Sequence, residues 1–202
     1  MNKINGLFLV CCDIETGGLN GRLADGTLGM ESYPIFELVF IVTDSALNQV
    51  GEPLRVVVHQ SESEIAKSSQ WAIDTHTESG LLAEVRASKI TLIEAEKLIL
   101  NYLSDLGVYK YNRAAKIGGI MAGNSIMFDR SYIMCQMPKL NSYLHYRQLD
   151  ISALALAARL WCPDIEKMGL AKKTYKHKAL DDILESIEEL RVYKESLFTF
   201  ID

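Results

Sequence analysis

The sequence has few of the residues that stabilise small secreted proteins. Its 202 residues include four prolines and four cysteines. The cysteines form no CxxC pair, since they lie at Cys11, Cys12, Cys135 and Cys162. A disulfide framework or a thiolate zinc site is therefore not expected. Reduced thiols are typical of the cytoplasm, and we predict a cytoplasmic protein.

The chain also lacks an excess of positive charge and any long apolar run. Lys and Arg total 21 against 26 Asp and Glu, which gives a net charge of -5 and a pI near 5.4. This balance argues against non-specific electrostatic binding of nucleic acid but leaves a local basic pocket open. No stretch approaches the roughly 18 apolar residues of a membrane span, so we expect a soluble protein. Apolar run 7–12 is short for a signal peptide and is followed at once by Asp13.

The apolar patterning predicts an α/β protein with one mixed sheet. Runs without helical period predict strands at 7–14, 36–43, 54–59, 117–122 and 146–151. Helical stripes and caps predict helices at 90–106, with Thr91 as N-cap, and at 127–137, 152–161 and 177–197. An antiparallel meander followed by parallel strands flanked by helices is, by fold analogy, a ribonuclease-H-like sheet. We expect one domain over residues 1–202.

Two carboxylates follow the first predicted strand in an acid-x-acid pattern. Asp13 and Glu15 lie two residues apart, so both side chains leave the same face of a strand, roughly 6.5 to 7 Å apart. Burying such a pair is costly unless it is paired or bound to metal. The alternative is a solvated strand end that caps the next element.

Three further residues with reactive side chains lie near predicted helix starts. Asp129 follows Asn124 in the segment GNSIMFD, and Asp182 follows His177 in HKALDD. Taken singly, each acid is typical of a helix cap or first turn, and the histidine of a surface position.

Taken together, the order and surroundings of these residues resemble the DEDDh family of 3′-to-5′ exonucleases. The first motif is DIETGGL, the second NSIMFD and the third HKALDD. Within that family the closest resemblance is to the oligoribonucleases, through WAIDTHTESGL, GNSI and HYRQLD. The resemblance implies hydrolysis of very short RNA from the 3′ end, with release of nucleoside 5′-monophosphates.

The resemblance also implies a role for each motif residue. Two Mg²⁺ or Mn²⁺ ions are expected on Asp13, Glu15, Asp129 and Asp182, whose hard oxygen atoms suit these metals. Such a pair of ions activates the attacking water and stabilises the leaving oxygen. His177 is the expected general base, since the ordinary imidazole pKa near 6.5 suits that task.

Substrate contacts follow from the same resemblance. Leu19 matches a residue that packs on the terminal bases, and Trp71 and His76 match residues beside the nucleotide, although Trp71 is alternatively a core residue. Arg147 and Ser152 match positions that hold the 5′ phosphate, and an arginine suits bidentate phosphate binding. The remaining expected substrate contacts are Asn124, His145 and Tyr146. The segment that contains His145 and Tyr146 matches one that crosses a homodimer interface.

Two insertions distinguish the chain from the oligoribonuclease pattern. A second glycine, Gly18, opens an enlarged loop through Pro34, and residues 107–120 are also extended. Phe128 before Asp129 is typical of the broader DEDDh exonucleases. A DEDDh exonuclease for single-stranded DNA or longer RNA is therefore an alternative, and a non-catalytic nucleic-acid-binding or protein-binding module is another.

Overall fold

The computed structural model describes residues 7–171 and 179–198. Five strands form one sheet: β1 (Leu7–Thr16), β2 (Ile35–Thr43), β3 (Leu54–Val57), β4 (Gly118–Gly123) and β5 (Gln148–Asp150). Their order is β3-β2-β1-β4-β5. Strands β1, β2 and β3 pair antiparallel, β4 runs parallel to β1, and β5 runs parallel to β4. The predicted mixed sheet, an antiparallel meander followed by parallel strands, is confirmed.

Helices cover both faces of this sheet. In the described residues they are α1 (Gly29–Ser32), α2 (Glu62–Ile65), α3 (Gln70–Glu78), α4 (Leu81–Ala87), α5 (Leu92–Asp105), α6 (Met127–Gln136), α7 (Pro138–Tyr143), α8 (Ile151–Trp161), α9 (Pro163–Leu170) and α10 (Ala179–Leu197). The predicted cap of α5 is confirmed, because the Thr91 side chain and Glu94 form a capping box. None of the helices in these described ranges is long and apolar enough to cross a membrane.

The structure corrects several predicted boundaries. The predicted strand 146–151 is only β5, because Asp150 caps α8 and Ile151 already begins that helix. Pro138 and Pro163 each occupy the start of a further helix, where a missing N–H costs nothing. Helices α2, α3 and α4 are short and mostly polar on their exposed sides, so they have no extended apolar stripe for sequence analysis to detect.

The core consists of layers on opposite faces of the sheet. Cys12 belongs to the cluster under α5, α6 and α7, whereas Cys11 belongs to the cluster under α8 and α10. All four cysteines are free thiols, and these two are buried. Every residue of β2 is buried, as expected of a strand covered on both faces.

The turn after β4 lies directly against the end of β1. A Cβ atom on Gly123 would stand 3.0 Å from the carbonyl oxygen of Cys12, so a larger residue here would push the two backbones apart. Ser125 follows with a φ of 51°. The carboxyl ends of β1 and β4 therefore meet at one edge, which positions the site described next.

Candidate active site

Four carboxylates from three elements gather at the carboxyl end of β1. Asp13 and Glu15 are on the strand, and Asp129 and Asp182 lie in the first turns of α6 and α10. The backbone N–H of Ile14 donates to Asp129 Oδ1 at 3.0 Å, which attaches α6 to the strand. Asp13 and Asp182 line the same pocket.

Burial and neighbouring carboxylates raise the pKa of Asp13 and Asp129. Burial, followed by the charges of Asp129, Glu15 and Asp182, raises the pKa of Asp13 to about 8. Burial raises the pKa of Asp129 to about 7, although the hydrogen bond from Ile14 acts to lower it. Clustered acids of this kind are typical of catalytic or cation-binding sites.

The cluster has the donor chemistry for hard divalent cations but is not arranged around one point. Among residues 7–171 and 179–198, no three His, Cys, Asp or Glu side chains already surround a metal position. Carboxylate oxygens suit Mg²⁺ and Mn²⁺. A bound cation would offset the mutual repulsion of these carboxylates.

His76 lies behind Glu15. Its Nε2 atom is 3.2 Å from the carbonyl oxygen of Thr16 and 3.8 Å from Glu15 Oε2. The imidazole is buried, with its ring edge-on to Phe36 at 5.4 Å. Burial lowers its pKa, so the ring is neutral and orients the end of β1. His177, the expected base, lies outside the described residues.

Leu19 and Trp71 stand exposed beside the end of β1. They are 73% and 69% exposed, so the alternative of a core tryptophan is wrong. Their backbones are fixed, because Ser69 N donates to the Gly17 carbonyl at 2.7 Å and Tyr132 Oη donates to the Gly18 carbonyl at 2.7 Å. Exposed apolar side chains on a fixed backbone are available to pack against a ligand.

The Asn124 side chain connects three parts of the molecule. Its amide nitrogen donates to Ser186 Oγ at 2.7 Å and to Glu189 Oε2 at 3.3 Å, and its oxygen accepts from Ser152 Oγ at 3.2 Å. Glu189 also accepts from Tyr193 Oη at 2.9 Å. Asn124 therefore attaches the turn after β4 to α10, the helix that contains Asp182. Sequence analysis missed Glu189 and Tyr193, for which no local pattern exists.

Ser152 lies at the start of α8, next to this connection. Its hydroxyl accepts from the backbone N–H of Ser125 at 3.0 Å, and Asp150 Oδ1 accepts from the same group at 3.1 Å. Asp150 also caps α8 through the Ser152 backbone N–H. Ser152 is thus at the carboxylate end of the sheet.

His145, Tyr146 and Arg147 lie at the other end of the sheet. The register pairs Cys11 with Ala122 and Met121 with Gln148, so Arg147 is level with Ile120, whereas Asp13 is level with Asn124. Four residues of strand correspond to about 13 Å. The structure does not bring these three residues together with the carboxylates of the same chain.

The sheet topology and the carboxylate cluster define a ribonuclease-H-like nuclease. Among solved structures, Exonuclease I of E. coli in complex with a 5cy-dT13 oligonucleotide has the same fold, with a TM-score of 0.70 and 16% identity. The match covers 95% of this chain but 41% of that one, so the chain spans about two fifths of Exonuclease I.

Sequence comparisons identify the family. A family model described as exonuclease matches residues 10–190, and the chain belongs to this exonuclease family. An oligoribonuclease of Photobacterium profundum is 38% identical over 95% of this chain and 96% of its own. One of Neisseria meningitidis is 40% identical over 91% of this chain and 88% of its own.

Proposed function

We propose that this chain is a metal-dependent 3′-to-5′ exoribonuclease that hydrolyses short oligoribonucleotides to nucleoside 5′-monophosphates. The observation that carries the proposal is the cluster of Asp13, Glu15, Asp129 and Asp182, in which burial and then the neighbouring carboxylates raise the pKa of Asp13 to about 8. The oligoribonuclease relatives support the choice of short RNA, because the similarity extends over nearly the full length of both chains.

The four carboxylates would hold two Mg²⁺ or Mn²⁺ ions. Such ions supply an activated water and charge stabilisation at the scissile phosphate. The contribution of the protein is to hold the oxygen ligands on three elements that hydrogen bonds join, such as Ile14 to Asp129. The buried site also strengthens each electrostatic interaction.

His177 is the proposed general base, which takes the proton of the attacking water. General-base catalysis contributes about 10²- to 10⁴-fold to a rate. We expect His177→Ala to lose that factor in turnover and to keep its affinity for Mn²⁺, measured by titration calorimetry. Unchanged turnover would remove this histidine from the mechanism.

Leu19, Trp71 and Ser152 are proposed substrate contacts on the same chain as the carboxylates. Stacking on Trp71 and packing on Leu19 tolerate any base, which suits an enzyme for mixed short fragments. His76, which contacts the carbonyl oxygen of Thr16, holds the end of β1 in place beside them. Arg147 is proposed to bind the 5′ phosphate, and Tyr146 and His145 to lie beside it.

This assignment requires a homodimer, because Arg147 lies about 13 Å along the sheet from the carboxylates of its own chain. An exposed apolar face on α8 and α9 fits a second copy. It is formed by Leu156, Leu160, Trp161 and Met168, and the Trp161 side chain is 78% exposed. We expect Leu160→Glu to yield a monomer in sedimentation and to lose most dinucleotide cleavage, whereas a Leu160→Glu dimer would exclude this face.

A direct test compares a 5′-labelled diribonucleotide, a longer RNA and the matching DNA, each with Mn²⁺, Mg²⁺ or chelator. Rapid metal-dependent cleavage mainly of the diribonucleotide is expected. Preference for the longer strands would instead support the second candidate, an exonuclease for longer RNA or single-stranded DNA. The enlarged loops favour that alternative, because they add side chains beyond the oligoribonuclease pattern.

The absence of any cleavage would support a non-catalytic binding module. Titration with Mn²⁺ distinguishes an exonuclease from such a module, because a non-catalytic module has no coupled two-ion site. The proposal also includes a single domain over residues 1–202. It includes a cytoplasmic location, which the four free thiols support.

A further inference from the structure

A basic and aromatic loop precedes β4. This loop, residues 107–117, contains Tyr109, Lys110, Tyr111, Arg113 and Lys116. Between Asp105 and Asp129 the sequence has no Asp or Glu, although the whole chain has a net charge of -5. The loop therefore has a positive local field in an acidic protein.

Backbone hydrogen bonds hold this loop in place. Tyr111 N donates to the Tyr143 carbonyl at 2.8 Å, and Asn112 and Ile117 exchange bonds of 3.1 and 3.3 Å. Asn112 Oδ1 also accepts from Ala115 N at 3.0 Å. Because these contacts fix the backbone before a ligand arrives, binding costs less conformational entropy.

Tyr111 joins the loop to the segment that contains Arg147. Its ring lies edge-on to His145 at 4.5 Å and 5.6 Å from the ring of Tyr146. His145 stacks on Tyr146 at 4.8 Å, and the Arg147 guanidinium lies over Tyr146 at 5.3 Å. The loop and residues 145–147 therefore form one continuous surface, which we call the aromatic-basic surface.

The side chains needed for recognition are exposed on this surface. Tyr109 and Tyr146 are 62% and 60% exposed, and the basic residues of the surface are exposed as well. Among residues 7–171 and 179–198, no ion pair includes the four basic residues of this surface, which are Lys110, Arg113, Lys116 and Arg147. In the described part of the chain these four cations form no ion pair, so they are available to an anionic ligand.

We propose that the aromatic-basic surface binds the body of a single-stranded oligonucleotide longer than two nucleotides. Aromatic rings that stack on bases, interleaved with cations that contact phosphates, are the pattern of single-strand binding. This inference rests on the proposed function, because it gives the enlarged loop a role in the length of substrate. The loop then adds affinity for longer strands and leaves dinucleotide cleavage unchanged.

The test removes two charges from the loop and, in a second protein called the remote variant, two charges near the amino end of α5, the end farther along the chain from the loop. Lys110→Ala/Lys116→Ala is compared with Lys89→Ala/Lys97→Ala, whose lysines are also exposed and unpaired at the start of α5 and in the turn before it. Affinity for a labelled hexaribonucleotide is measured in chelator over a series of salt concentrations. For single strands, each phosphate contact contributes about 0.7 to the slope of log K against log salt.

We expect the loop variant to bind the hexanucleotide about tenfold more weakly and to reduce the salt slope by about 1.4. The remote variant should match the wild type, and both should cleave the diribonucleotide normally. An unchanged affinity and slope, an equal loss in the remote variant, or equal binding of a polyglutamate peptide would overturn the proposal. Binding in chelator needs no cleavage, so the test decides even if the exoribonuclease proposal fails.

Discussion

The two ends of the parallel strands β1 and β4 differ in chemistry. At the carboxyl end, partly or fully buried acids repel one another, and Ile14 donates a hydrogen bond to Asp129. At the amino end, Tyr109, Tyr146 and Arg147 are exposed. An acidic end needs cations before it can approach a phosphate, whereas a basic end attracts phosphate directly. The comparison separates the proposed region for chemistry from the proposed region for binding.

The largest expected effect is at the acidic end. Asp13→Asn removes a charged oxygen ligand from the centre of the cluster, so we expect about 10³-fold lower kcat, or roughly 4 kcal/mol of transition-state stabilisation. Dinucleotide hydrolysis in Mn²⁺ measures it. A loss of less than about tenfold would show that this carboxylate is outside the chemistry.

At the basic end, the expected effect is smaller and depends on substrate length. Arg147→Ala removes a charge-assisted contact with the 5′ phosphate, worth about 1.5–3 kcal/mol, so dinucleotide kcat/KM should fall about 10- to 100-fold. Longer strands should lose less, because they have further contacts. Arg86→Ala, which removes an exposed arginine paired with Glu62, is the matched control. Equal losses on both lengths would refute the phosphate contact.

Loss of the hydrogen bonds made by the Asn124 side chain should lower activity about tenfold. Asn124→Ala leaves buried Glu189 without one hydrogen bond, which costs about 1–3 kcal/mol of unfolding free energy. It also detaches α10, and with it Asp182, from the turn after β4. We expect a higher apparent KM for Mn²⁺, measured in cleavage assays.

Tyr193→Phe controls for stability alone, because it removes another hydrogen bond to Glu189 without touching the turn after β4. If both variants lose stability and neither changes the requirement for Mn²⁺, Asn124 has only a structural role.

The sequence alone predicts the parts of the fold and site that depend on neighbouring residues. It does not predict the parts that depend on residues far apart in the chain. Strand β1 and the cap of α5 are local patterns, and Asp13, Glu15 and Asp129 lie in recognisable motifs. The contact between Asn124 and Glu189 depends instead on how α10 packs, which no nearby residue encodes. The separation of Arg147 from Asp13 along the sheet follows from strand register, which requires the assembled sheet.

The smallest expected effect is on stability, and its sign follows from the buried acids. The folded pKa of Asp13 is about 8 and that of Asp129 about 7, both raised from 3.8 mainly by burial. Between pH 4 and these values the folded chain binds more protons than the unfolded chain, so this contribution to stability falls as pH rises. Metal binding displaces those protons and should strengthen over the same range.

The measurement is the melting temperature of the wild type minus that of Asp13→Asn, in chelator, from pH 5 to pH 8. We expect the difference to become more negative with pH by a few degrees, since each kcal/mol shifts the melting temperature by about 2–4 °C at this size. Asp25→Asn is the control, because hydrogen bonds to Thr27 lower the pKa of exposed Asp25 and its contribution does not fall with pH. If the melting-temperature difference for Asp13→Asn does not change with pH, folding does not raise the pKa of Asp13. The contrast between the two ends would then rest on side-chain exposure alone.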